Sequence, residues 1–127
     1  MSAWRRKALQ VIPELRVIIE SSNNVTYLWC ELESVFSDCF EKENNELLHK
    51  ILKYAEWCVS EESGDSSGET AQAVYCGFLE TITYNRKYYP SFKEWFSPAQ
   101  FEKYKGSFMY ALDDKQYKFL EGLYYGR

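Results

Sequence analysis

Apolar residues recur along this chain at helical spacing, and that rhythm predicts most of its secondary structure. Trp4, Ala8, Val11, Ile12, Leu15, Ile18 and Ile19 fall on one face at 100° per residue. Pro13 interrupts that stripe and predicts a kink, or two short helices, near residues 10–13. Asn23 and Asn24 then punctuate the chain and offer an N-cap for a second helical stretch. Its stripe is Leu28, Trp29, Leu32, Val35, Phe36, Cys39 and Phe40, with Glu31, Asp38 and Glu41 projecting from the opposite side. Asn44 or Asn45 caps a third stretch, striped by Leu47, Leu48, Ile51, Leu52, Ala55, Cys58 and Val59. A polar connection rich in Glu, Ser, Gly and Asp runs over residues 60–68.

The next helix, over about residues 69–84, is apolar on nearly every side. Ala71, Ala73, Val74, Tyr75, Cys76, Phe78, Leu79 and Ile82 surround it, so it reads as the central helix of the fold, with residues 74–79 the most buried. Ala73 and Gly77, four apart, would admit a neighbouring helix closely. Tyr88, Tyr89, Pro90, Phe92, Trp95 and Phe96 read as an irregular aromatic link. Ser97-Pro98 is a strong helix start, with Ser as the cap and Pro at the first helical position. Phe101, Tyr104, Lys105, Phe108, Met109 and Leu112 follow it as one helix, and Asp113 or Asp114 caps a last helix with Tyr117, Leu120, Leu123 and Tyr124. No alternating strand pattern occurs. The expectation is an all-α fold: one domain over residues 1–127, a bundle or short helical-hairpin stack of about five to seven helices.

The order of several aromatic and capping words carries a resemblance. Trp4-Arg5-Arg6 with Pro13-Glu14-Leu15, Tyr54-Ala55-Glu56-Trp57-Cys58, and Trp95-Phe96-Ser97-Pro98 with Phe101, Gly106, Phe108 and Tyr110 resemble an uncharacterised bacterial family of small all-helical proteins, a domain of unknown function. The resemblance implies a helical protein and supplies no catalytic residues. In size, acidity and lack of reactive groups the chain is also similar in type to the immunity proteins of bacterial toxin systems.

Charge sharpens the functional reading. Of nineteen acidic residues, eleven lie within residues 31–69, against three bases, for a local formal charge of −8. Such a concentration attracts a basic partner and opposes binding to nucleic acid or an anionic membrane surface. Glu31, Asp38, Glu41, Glu46, Glu56, Glu61, Glu62 and Asp65 are therefore the candidate partner-binding acids, with Trp57 as an aromatic anchor. Trp57 lies off the main stripe of its helix, so it either packs on another element or faces a partner. The aromatic share of 18% exceeds what a core of this size needs, so some rings should reach the surface.

Chemistry is harder to place. His49 is the single histidine, and Cys58, nine residues on, lies on the opposite face of the same helix. Glu46 and His49 form one Glu-x-x-His pair where a di-iron bundle needs two. Asp65, Ser67 and Glu69 alternate without the rest of a calcium loop, and no phosphate-binding glycine loop is present. No cofactor or metal is expected. Four cysteines, spaced by 9, 19 and 18 residues without a C-x-x-C pair, read as reduced thiols in a cytoplasmic protein. No spanning segment or signal-peptide core is evident. The expected function is a non-catalytic module that binds a basic protein, most concretely an immunity protein blocking a nuclease-type toxin. It would act as a monomer or small homo-oligomer. The alternatives are a helical enzyme or small-ligand binder with a Tyr/Trp-lined pocket, or a general adaptor. A deep pocket with convergent polar groups would favour the first of these over a convex acidic face.

Overall fold

The computed structural model describes residues 1–126, which are helical almost throughout and include no strand. The chain gathers into two compact units, Met1–Phe78 and Leu79–Arg127. No helix among the described residues is long and apolar enough to cross a membrane.

In the first unit, α1 (Ala3–Val11) ends where Pro13 opens a 3₁₀ turn, and the chain resumes as α2 (Arg16–Ser21). This is the break that proline demands, because its ring clashes with the preceding turn. α3 (Val25–Glu41) and α4 (Asn45–Val59) begin at the caps expected: the side chain of Asn24 accepts from the Tyr27 N–H at 2.8 Å, and that of Asn44 from Leu47 at 3.3 Å. α5 (Glu69–Val74) packs against both, and α1 packs on α4. Leu28, Trp29, Leu32, Phe36, Ile51 and Cys58 are wholly enclosed, so the stripes face this core. Burying each large apolar side chain contributes roughly 1.5–3 kcal/mol, far more than the few tenths from a surface pair.

The helix after the polar loop departs from expectation. After α5 the backbone passes through a π-helical stretch, Tyr75–Leu79, and then into α6 (Glu80–Thr83). Phe78 is fully buried, 5.1 Å from the Trp29 ring and edge-on to Phe36 at 5.0 Å. Yet Tyr75 is half-buried and Cys76 and Tyr84 are exposed, so the run is not enclosed on all sides. Apolar character alone cannot tell a second buried face from a wet one. Gly77 does permit a close approach: a Cβ there would lie 3.7 Å from the Cβ of Trp29.

The second unit is built around the segment that reads as an irregular link. A 3₁₀ stretch, Arg86–Ser91, leads into α7 (Phe92–Trp95), and Tyr88, Tyr89, Phe92, Trp95 and Phe96 are all buried. Their rings meet mainly edge-on or tilted, with Phe92 5.3 Å from Phe96 and 5.4 Å from Phe108. This aromatic knot is the unit's core. A 3₁₀ stretch has three residues per turn, so its buried positions do not register as a 3.6-residue stripe. α8 (Pro98–Lys103) starts with a full capping box between Ser97 and Gln100, and α10 (Asp114–Tyr125) with another between Asp113 and Gln116. The single helix expected from Phe101 to Leu112 is instead two, because the backbone turns at Tyr104 before α9 (Lys105–Ala111). Met109 and Leu123, placed in stripes by spacing, are exposed, and so are Tyr27, Tyr84, Tyr110, Phe119 and Tyr125.

Candidate functional site

Charge divides along the two units. Residues 1–78 hold thirteen acids and seven bases, a formal −6, whereas residues 79–127 hold six acids and eight bases, a formal +2. The acids of the first unit do not form one continuous face.

The tightest gathering is at the α3–α4 turn. Asp38 and Glu41 occupy the last turn of α3, Glu43 the connection and Glu46 the first turn of α4, and all four are exposed. Within this short stretch the one base is Lys42, whose ammonium lies 3.2 Å from Asp38 on the surface. The turn is held by the Asn44 N–H donating to the Cys39 carbonyl at 2.8 Å. Glu43 takes a left-handed conformation, φ 57°, which costs a residue with a Cβ some strain. Glycine or asparagine would sit there more easily. Glu43 escapes a reading based on helical faces because it belongs to neither helix; its signal is a fourth acid between two already grouped.

Helix electrostatics make this placement uneven. Glu46 lies where the α4 dipole welcomes negative charge, but Asp38 and Glu41 lie at the carbonyl end of α3, where the one base is Lys42 at the C-cap, paired with Asp38. Each acid so placed costs roughly 0.3–1 kcal/mol at an exposed position.

The other candidates lie elsewhere. Glu56 and Trp57 occupy the far end of α4 and Glu61 and Glu62 the 3₁₀ turn after it. At about 1.5 Å per residue this is roughly 15–20 Å from Glu46. Bases surround that end. Glu56, Glu62 and Trp57 border a shallow concavity of about 210 Å³ together with Lys7 and Lys53. Along α4 itself, Lys50 sits 3.9 Å from Glu46 and donates to Glu14 at 2.8 Å, which holds the Glu14 carboxyl below its usual range. Glu31 is half-buried on α3, ten residues from Glu41.

Trp57 makes contacts within its own unit. It is half-buried, stacks on Tyr54 at 6.1 Å with the rings nearly parallel, and carries the Lys7 ammonium 5.9 Å above its ring. It therefore packs against α1. Asp65 is also occupied locally. Its Oδ1 accepts from the N–H and hydroxyl of Ser67, at 3.0 and 2.5 Å, and its Oδ2 from the N–H and hydroxyl of Thr70, at 2.8 and 2.6 Å. These bonds, the Ser67 hydroxyl first, hold its carboxyl far below the ordinary aspartate range. Asp65 closes the polar loop and satisfies the start of α5. His49 is exposed on α4 with Nδ1 2.8 Å from the Asn45 carbonyl.

The chain belongs to the family described as the domain of unknown function DUF7674, which matches residues 5–111. No curated protein and no solved structure matches it.

Proposed function

We propose that this protein is a non-catalytic binding module that captures a basic protein partner through the α3–α4 turn. The observation that carries the reading is the cluster Asp38, Glu41, Glu43 and Glu46: four exposed acids at one tip of the unit that carries the chain's negative charge. Two of them stand at a helix end that disfavours acids and a third on strained backbone, placements that stability alone does not reward. The most concrete form of this function is that of a bacterial immunity protein acting in the cytoplasm. Its acidic tip would occupy the cationic surface on which a nuclease-type toxin holds its anionic substrate. The field of the first unit would speed encounter, and close contacts made after docking would set the residence time.

The test is coexpression with the products of neighbouring genes, then association kinetics of the recovered basic partner from low to high salt. Association should slow steeply as salt rises. Reversal of Glu41, Glu43 and Glu46 to Lys should slow it further, whereas reversal of Glu56 and Glu62, which sit among bases, should do much less. A partner indifferent to salt and to the first set of reversals would end this reading.

A further inference from the structure

A concavity of about 390 Å³ lies in the second unit, between Tyr84, the Arg86–Ser91 stretch, the end of α9 and the first half of α10. That volume is within the range of about 300–1,000 Å³ typical of small-molecule sites. Its floor is Tyr89, buried and held in place by its hydroxyl donating 2.7 Å to the Thr83 carbonyl, together with half-buried Ala111 and Leu112. Its walls are aromatic and open: Tyr84 is 65% exposed and Phe119 47%. Two large rings left uncovered around a hollow are a poor outcome for stability and a good one for a flat ligand.

The charged groups of the hollow have one sign. Arg86 lays its guanidinium 4.7 Å over the Phe119 ring, a stacking that occupies its face and leaves the N–H edge for an acceptor. Lys115 stands one turn before Phe119 on the same side of α10. Among the described residues no carboxylate lines the hollow and neither cation makes an ion pair. Gln116, also at the hollow, has its carboxamide oxygen turned back to the Asp113 N–H. Nearby bases usually find acids in a chain that has nineteen of them.

We propose that this groove binds a small aromatic carboxylate. The ring would lie over Tyr89 and Leu112 between Tyr84 and Phe119. The carboxylate would take two parallel hydrogen bonds from Arg86, with Lys115 adding charge. The site is separate from the acidic α3–α4 turn, in residues and in the sign of its charge, so it can stand or fall independently of the proposed partner binding.

The test uses the full chain, ¹⁵N-labelled, titrated with 2-naphthoate, with its neutral counterpart 2-naphthalenemethanol and with inorganic phosphate. Naphthoate should give saturable amide shifts confined to residues 84–89 and 111–119, with the alcohol at least tenfold weaker, equivalent to about 1.4 kcal/mol. Arg86→Gln should bring naphthoate down to the level of the alcohol, and Lys115→Gln should weaken it several-fold. Both side chains are exposed, and a thermal melt of each variant confirms the fold. The proposal is overturned if naphthoate gives no saturable shift there. It is equally overturned if the alcohol binds as well as the acid, if both substitutions leave binding unchanged, or if phosphate alone reproduces the shifts at equal affinity.

Discussion

The Tyr54 hydroxyl donates a 2.8 Å hydrogen bond to the Trp4 carbonyl, joining α4 to the first turn of α1 across fifty residues of chain. The Tyr54 ring is fully buried and lies nearly parallel to Trp29 at 5.5 Å and to Trp57 at 6.1 Å. Burial pushes its phenol well above the ordinary tyrosine range, so it remains a neutral donor at any pH the fold tolerates.

Tyr54→Phe keeps the stack and removes the hydroxyl's bond to the Trp4 carbonyl together with its contact with the Cys58 thiol. It should lower stability by about 1 kcal/mol, a little more if the Trp4 carbonyl is left without water. Tyr54→Ala removes the stacked ring as well and should cost roughly 3–5 kcal/mol. Urea unfolding followed by tryptophan fluorescence measures both, and equal costs for the two would show that the ring contributes nothing.

Asp65 ties the polar loop to α5 through four hydrogen bonds, and its carboxyl is held far below the ordinary range. A folded-state pKa below the unfolded value of about 3.9 means that the unfolded chain binds the proton more readily as pH falls. The stabilisation is therefore complete above about pH 5 and is lost progressively below it. Asp65→Asn should lower the melting temperature at pH 7, and the gap to the parent should close as pH falls towards 2. Amide exchange at Ser67 and Thr70 should quicken at neutral pH. A gap that stays constant through the acid range would remove the carboxylate from the account.

The four cysteines are free, two of them exposed (Cys30, Cys76) and two buried (Cys39, Cys58). Burial pushes the Cys58 thiol up to about 12 and raises that of Cys39. Reaction needs the thiolate and access, and both are denied at the buried pair. A maleimide reagent at neutral pH should add two labels quickly to the native protein and four after denaturation, as read by intact mass. Four fast labels on the native chain would contradict the core packing of α3 and α4.

Much of this architecture is written in intervals of three to five residues. The caps at Asn24, Asn44, Ser97 and Asp113 are bonds from a side chain to a backbone N–H three positions on, so they are visible without any tertiary knowledge. The break at Pro13 and the stripes of α3 and α4 are equally local, as is the high content of acid between residues 31 and 69. The acids, however, were legible only as a list. Their helix positions place Asp38, Glu41 and Glu46 together at one tip and leave Glu56 and Glu62 among bases at the other.

What the fold alone decides is which faces meet. Tyr54 continues the edge of the α4 stripe that holds Ile51 and Cys58, but the element it meets is set by the fold: α1 brings the Trp4 carbonyl to its hydroxyl. The aromatic run from Tyr88 to Phe96 becomes a core because 3₁₀ and α segments bring its rings together at a period no single helix has. The groove around Arg86 and Phe119 joins residues more than thirty positions apart, and nothing in the chain's local rhythm announces it. Periodicity and capping act within one turn of backbone, so the sequence by itself determined helices and their ends. Burial, local charge balance and the groove depend on contacts between distant segments, and these only the tertiary structure decided.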